Sequence, residues 1–88
     1  MSDQRIRIEA CVNSVESAIE AEAGGASRVE LCDNLSDGGT TPSVGAIEAA
    51  RRALGIELNV IIRPRGGDFL YSDLELDIMK ADVLAARD

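Results

Sequence analysis

The sequence predicts an α/β fold built from three successive βα units around a parallel sheet. Three observations carry this. The apolar pattern switches from strand-like alternation to helix-like spacing three times along the chain. Glycine or proline punctuates the switches, at Gly24-Gly25, Gly55 and Pro64. No linker or low-complexity stretch separates the units, so they belong to one sheet joined by right-handed crossovers.

The first strand is placed at residues 5–12 (RIRIEACV), where Ile6 and Ile8 alternate with Arg5, Arg7, Glu9 and Cys11. Asn13 is the expected helix N-cap, with Glu16 three residues on as its capping-box partner. The helix covers residues 14–23, with Val15, Ala18, Ile19 and Ala23 inward, and Gly24-Gly25 offers a left-handed stop. The second strand is residues 28–32 (RVELC), followed by a loop over residues 33–41. Thr41 is the expected cap of a helix over residues 42–54, with Pro42 at its first position, where a missing N–H costs nothing. Val44, Ile47, Ala50 and Leu54 form its inner face. The third strand is residues 58–63 (LNVIIR), ended by Pro64, which cannot donate to a ladder. After the loop over residues 64–71, Ser72 and Glu75 make a second capping box. It opens a helix over residues 73–86 with Leu74, Ile78, Ala81 and Ala85 on one side.

Three crossover helices cover one face of such a sheet, whereas parallel strands are usually covered on both. The other face requires more helices or closure into a barrel, and 88 residues supply neither. The expectation is therefore the front of a larger α/β domain, truncated at its third helix.

Composition narrows the function. Nine basic against sixteen acidic residues give a net charge of −7, which argues against a nucleic-acid partner. No apolar run reaches the roughly 18 residues of a membrane span. The polar start, residues 1–7, does not look like a signal peptide. A cytoplasmic setting is expected, with Cys11 and Cys32 as free thiols in a reducing compartment. Phe69 and Tyr71 are the only aromatic residues, so the core must be aliphatic.

The chemistry-bearing residues gather at strand ends. The first two strands share a short motif, Ile8-Glu9-Ala10-Cys11 and Val29-Glu30-Leu31-Cys32. Period-two geometry puts Glu and Cys of each strand on one face. Arg63 shares that face on the third strand, and Arg65 lies just beyond. Glu9, Glu30 and Arg63 are thus expected side by side, as a structural ion-pair network or as a ligand site. The two thiols are expected at equivalent heights. They are either small buried hydrophobes or a soft-metal pair suited to Cu(I), since no histidine is present to complete a zinc set. The loop Arg63-Pro64-Arg65-Gly66-Gly67-Asp68 brings two arginines suited to carboxylate or phosphate and a flexible Gly pair. Arg65 pairing with Asp68 is the plainer alternative. An enzyme reading follows from the same residues. Arg63 and Arg65 would hold a small anionic ligand, with Glu9 or Glu30 as general base.

Longer stretches carry a resemblance. Val29-Glu30-Leu31-Cys32, the run from Gly38 to Gly45 (GGTTPSVG) and the run from Ile62 to Phe69 (IRPRGGDF) with Tyr71-Ser72-Asp73 are similar to the N-terminal part of the CutC copper-homeostasis family. Glu9-Ala10-Cys11 and the run from Gly24 to Arg28 add to it. The resemblance implies the first three βα units of a TIM-type (β/α)8 barrel. It further implies a cytoplasmic protein that forms homo-oligomers and handles copper, with Cu(I) on Cys11 and Cys32. A complete barrel of that type needs about 250 residues.

Overall fold

The computed structural model describes residues 7–87. Its elements run β1 (Glu9–Val12), α1 (Val15–Ala23), β2 (Arg28–Leu31), α2 (Val44–Ala53), β3 (Glu57–Val60) and α3 (Asp73–Arg87). A 3-10 turn, Leu35–Asp37, interrupts the loop after β2. The strands form one parallel sheet, as the alternating pattern predicts, in the order β1-β2-β3.

Each strand is shorter than expected. Arg7 and Ile8 precede the ladder, and residues 5 and 6 lie outside the described residues. Cys32 and residues 61–63 leave the regular ladder although single bonds continue it, Cys32 N–H to Val12 O at 3.0 Å and Ile61 N–H to Leu31 O at 3.1 Å. The loop beyond β2 competes for the remaining groups. Asp33 and Thr40 exchange two backbone bonds of 2.8 Å, and Thr41 N–H donates to Arg63 O at 2.9 Å.

Two of the expected caps move by one or two residues. Ser14, not Asn13, caps α1, its Oγ accepting from Ser17 N–H at 3.0 Å. Ser43, not Thr41, caps α2 by accepting from Ala46 N–H at 3.1 Å, which leaves Pro42 in the loop. Thr41 is drawn off because its Oγ1 accepts from Arg63 N–H at 2.8 Å, a long-range bond that local pattern does not reveal. The third cap stands. Ser72 Oγ accepts from Glu75 N–H at 3.1 Å while Glu75 Oε1 accepts from Ser72 N–H at 2.9 Å. The glycine stop of α1 also stands. Ala26 N–H reaches Ala21 O at 3.0 Å and Gly25 N–H reaches Glu22 O at 3.1 Å, with Gly25 at φ +105°.

The core lies between the sheet and the first two helices. Val12, Val29 and Leu31 from the strands meet Ala18 of α1 and Ile47, Ala50 and Leu54 of α2 and its end. Ala10, Leu58 and Val60 flank them. The inner faces differ in detail from expectation. Ile19 and Val44 are exposed, because the contact faces of α1 and α2 are narrower than the apolar stripes. In α3 the less exposed positions are Glu75, Met79, Asp82 and Ala86, one residue on from the predicted set, and Leu74 is 70% exposed. The spacing is helical as expected, but the helix is rotated by about 100°. No residue of α3 is fully buried.

Candidate functional site at the carboxyl ends of the strands

The register decides which side chains meet. Glu9, Arg28 and Glu57 stand in one row across the three strands, and Cys11, Glu30 and Asn59 in the next. These residues face away from the helices, because their neighbours Ala10, Val12, Val29, Leu31, Leu58 and Val60 pack on the core side. In the lower row Arg28 Nε lies 3.3 Å from Glu9 Oε2 and its Nη1 lies 3.4 Å from Glu57 Oε2. Asn59 Nδ2 also donates to Glu9 Oε2, at 3.3 Å. In the upper row the Cys11 thiol points to Glu30 Oε1 at 3.7 Å.

The expected trio of Glu9, Glu30 and Arg63 therefore does not form. Glu9 and Glu30 share a face, but the parallel ladder places them at different heights. Glu9 finds Arg28, Glu30 finds Cys11, and Arg63 lies past the end of β3. The two cysteines are likewise offset, because Cys11 is level with Glu30 rather than with Cys32, which follows two residues later.

Cys32 is 1% exposed and Cys11 is exposed. The Cys32 thiol donates to Val12 O at 3.5 Å. Burial pushes it up from 9.0 to about 11, and the adjacent Cys11 thiol and the carboxylates of Glu30 and Asp33 add to the rise. The loop that follows it returns to its side at Gly39. Gly39, at φ +97°, lies so close that a Cβ there would sit 3.0 Å from Ile61 Cδ1 and 3.5 Å from Cys32 Sγ. The left-handed backbone there favours glycine.

Arg63 binds this loop from the other side. Its Nη1 donates to Asp37 O at 2.6 Å and Gly39 O at 3.0 Å, and its Nη2 donates to Gly67 O at 2.8 Å. Its guanidinium carbon lies 4.9 Å from the centre of the Phe69 ring. Its Nε is buried and has no acceptor among the described residues.

Arg65 closes its own loop. Nε and Nη2 grip the two carboxylate oxygens of Glu75 at 2.5 Å and 3.3 Å. Nη1 reaches Gly66 O and Asp68 O, and Nη2 reaches Asp68 Oδ1 and Leu70 O. Tyr71 stacks under the guanidinium at 5.1 Å. The bond from Arg65 holds the Glu75 carboxyl below its ordinary range, and Glu75 raises Arg65. The pairing of Arg65 with Asp68 is present at 3.4 Å, but Glu75 is the closer partner.

Sequence reasoning overlooked Arg28, Glu57 and Asn59, which only the register joins to Glu9. It also overlooked the alternate pairing of Arg63 with Phe69 and Arg65 with Tyr71. The equal spacing within the two pairs was its available signal. Among the described residues no three His, Cys, Asp or Glu side chains converge as a metal set, and no helix is long and apolar enough to cross a membrane.

Comparison with known proteins gives this geometry a family. The CutC family model matches residues 6–88. The human copper homeostasis protein cutC homolog is 58% identical over 80 residues, which cover 91% of this chain and 29% of that protein. A CutC family protein of Chromobacterium violaceum is 61% identical over 80 residues, covering 91% of this chain and 32% of that one. The solved structure of CutC from Streptococcus agalactiae superposes with a TM-score of 0.88 at 49% identity, over 94% of this chain and 41% of that chain. This chain thus spans about a third of the length of its curated relatives, and its three βα units correspond to part of the larger solved fold. With the model match running over nearly every residue, the chain belongs to the CutC family.

Proposed function

We propose that the chain serves copper homeostasis by holding Cu(I) between the thiolates of Cys11 and Cys32. The observation that carries this reading is the pair itself. Cys11 lies in β1 and Cys32 directly follows β2, and the two are near enough for the Cys11 thiol to add to the rise of the Cys32 pKa. The donor set suits the ion. Soft sulfur ligands select Cu(I) over hard cations, and Cu(I) accepts few ligands. Zinc would require more donors than the described residues bring together. The names of the human and mouse relatives, copper homeostasis protein cutC homologs, support the same role. Both thiols must lose a proton to bind, so loading releases acid.

The enzyme reading rests on Arg63 and Arg65 as holders of a small anion. Their donors are largely engaged by carbonyls and carboxylates of their own loops, which favours the copper reading. Titration with Cu(I) against a competing chelator tests the proposal. The parent chain is expected to take up one Cu(I), and Cys11→Ser and Cys32→Ser are each expected to lose it. A Cys11→Ser/Cys32→Ser chain that binds as tightly as the parent would overturn it.

A further inference from the structure

The Cys32 thiol is buried, and the segment that returns to its side is lightly held. Its base is the two-bond bridge between Asp33 and Thr40. Residues 33–38 are all exposed, and Gly39 and Thr40 are the buried residues of the segment, so it has little apolar burial of its own. Its internal bonds are short-range. Asn34 O accepts from Asp37 and Gly39 N–H at 3.0 Å, and Asn34 Nδ2 donates to Thr40 Oγ1 at 3.1 Å. What ties it down over Cys32 comes from one distant residue. Arg63 Nη1 binds Asp37 O and Gly39 O, while the Arg63 backbone exchanges bonds with Thr41. Gly39 lies beside the thiol, since a Cβ added there would sit 3.5 Å from Cys32 Sγ.

We propose that residues 33–41 form a flap over Cys32 and that Arg63 is its fastener, so that a metal ion or thiol reagent reaches Cys32 by local opening of this flap. Segments with few buried apolar contacts open at low free energy, without global unfolding. The Arg63 carbonyl bonds set that opening free energy, and their removal raises the open population. The inference rests on the copper reading only for its purpose, the admission of metal to the inner thiol. Cys11, exposed beside the flap, meets the incoming ion first. A rival route exists. A cavity of about 160 Å³ lined by Asn13, Ser14, Leu31, Cys32 and Ser43 approaches the thiol from the helix side.

The test uses no copper, so it fails or succeeds independently of metal binding. In a Cys11→Ser chain, Cys32 is the sole thiol, and its reaction with uncharged N-ethylmaleimide is followed under native conditions. Arg63→Gln is expected to raise the rate about tenfold or more, the effect of losing one to two net hydrogen bonds. Arg52→Gln, an equal charge change on the exposed side of α2, is expected to leave it unchanged. An unaltered rate in Arg63→Gln overturns the proposal and assigns access to the cavity between α1 and α2. Should Arg63→Gln fail to fold, the urea dependence of the rate in the Cys11→Ser chain decides. A rate nearly flat in urea below the unfolding transition supports local opening, and one as steep as global unfolding overturns it.

Discussion

Cys32 shows how a residue's chemistry is set by what covers it. Its motif twin, Cys11, occupies the same place in an Ile-Glu-Ala-Cys run yet stays exposed. The raised Cys32 pKa has a consequence for stability. An unfolded thiol titrates near 9.0 and the folded one near about 11, so below 9.0 both states keep the proton and the folded state loses nothing. Between those values the unfolded chain ionises first, and stability falls as pH rises. The urea midpoint is expected to drop from pH 9 to pH 11 in the parent and to drop less in Cys32→Ala. Equal slopes would show that the thiol does not titrate in this way. The two arginines differ on the same principle. Arg65 finds a carboxylate in Glu75, whereas Arg63 finds only carbonyls and a ring, so one seals its own loop and the other joins two loops. The Glu-x-Cys repeat and the Arg-Pro-Arg run were legible as candidates, but not their partners, which come from strands and loops distant in sequence.

At the scale of elements, helix ends and strand lengths answer to different evidence. The Ser72–Glu75 capping box needs only residues three apart, so the sequence specifies it, and α3 begins where it predicts. Ser72→Ala is expected to cost about 1 kcal/mol and to speed amide exchange in the first turn of α3, leaving α1 and α2 unchanged. Unchanged exchange at Glu75 would show that the cap carries no weight. Thr41 obeys another logic. Its hydroxyl is taken by Arg63, so the cap passes to Ser43 and the helix starts two residues later than its local signals imply. The strands shorten for a related reason, since the residues beyond Leu31 and Val60 are claimed by the flap and by Arg63.

Across the whole molecule, the sheet has helices on one side and a charged row on the other. α3 exposes apolar side chains on more than one flank, at Leu74, Leu76, Ile78, Val83 and Leu84. The solved relative is more than twice as long as the matched region. A groove of about 500 Å³ runs along it, lined by Ile62, Leu76, Met79, Lys80, Val83 and Leu84. The chain is expected to bind a hydrophobic dye such as ANS in its folded state. Leu76→Glu/Leu84→Glu should reduce the fluorescence without changing the far-UV spectrum, and undiminished fluorescence would place the dye elsewhere. The three βα units, the parallel sense and the aliphatic core follow from the sequence alone, because apolar period and turn chemistry are local and repeat three times. The heights of Glu9, Cys11, Glu30 and Arg63, the rotation of α3 and the return of a loop to the side of Cys32 were decided only by tertiary structure. Each depends on strand register and on hydrogen bonds between residues some twenty or more apart, and no local pattern encodes those distances.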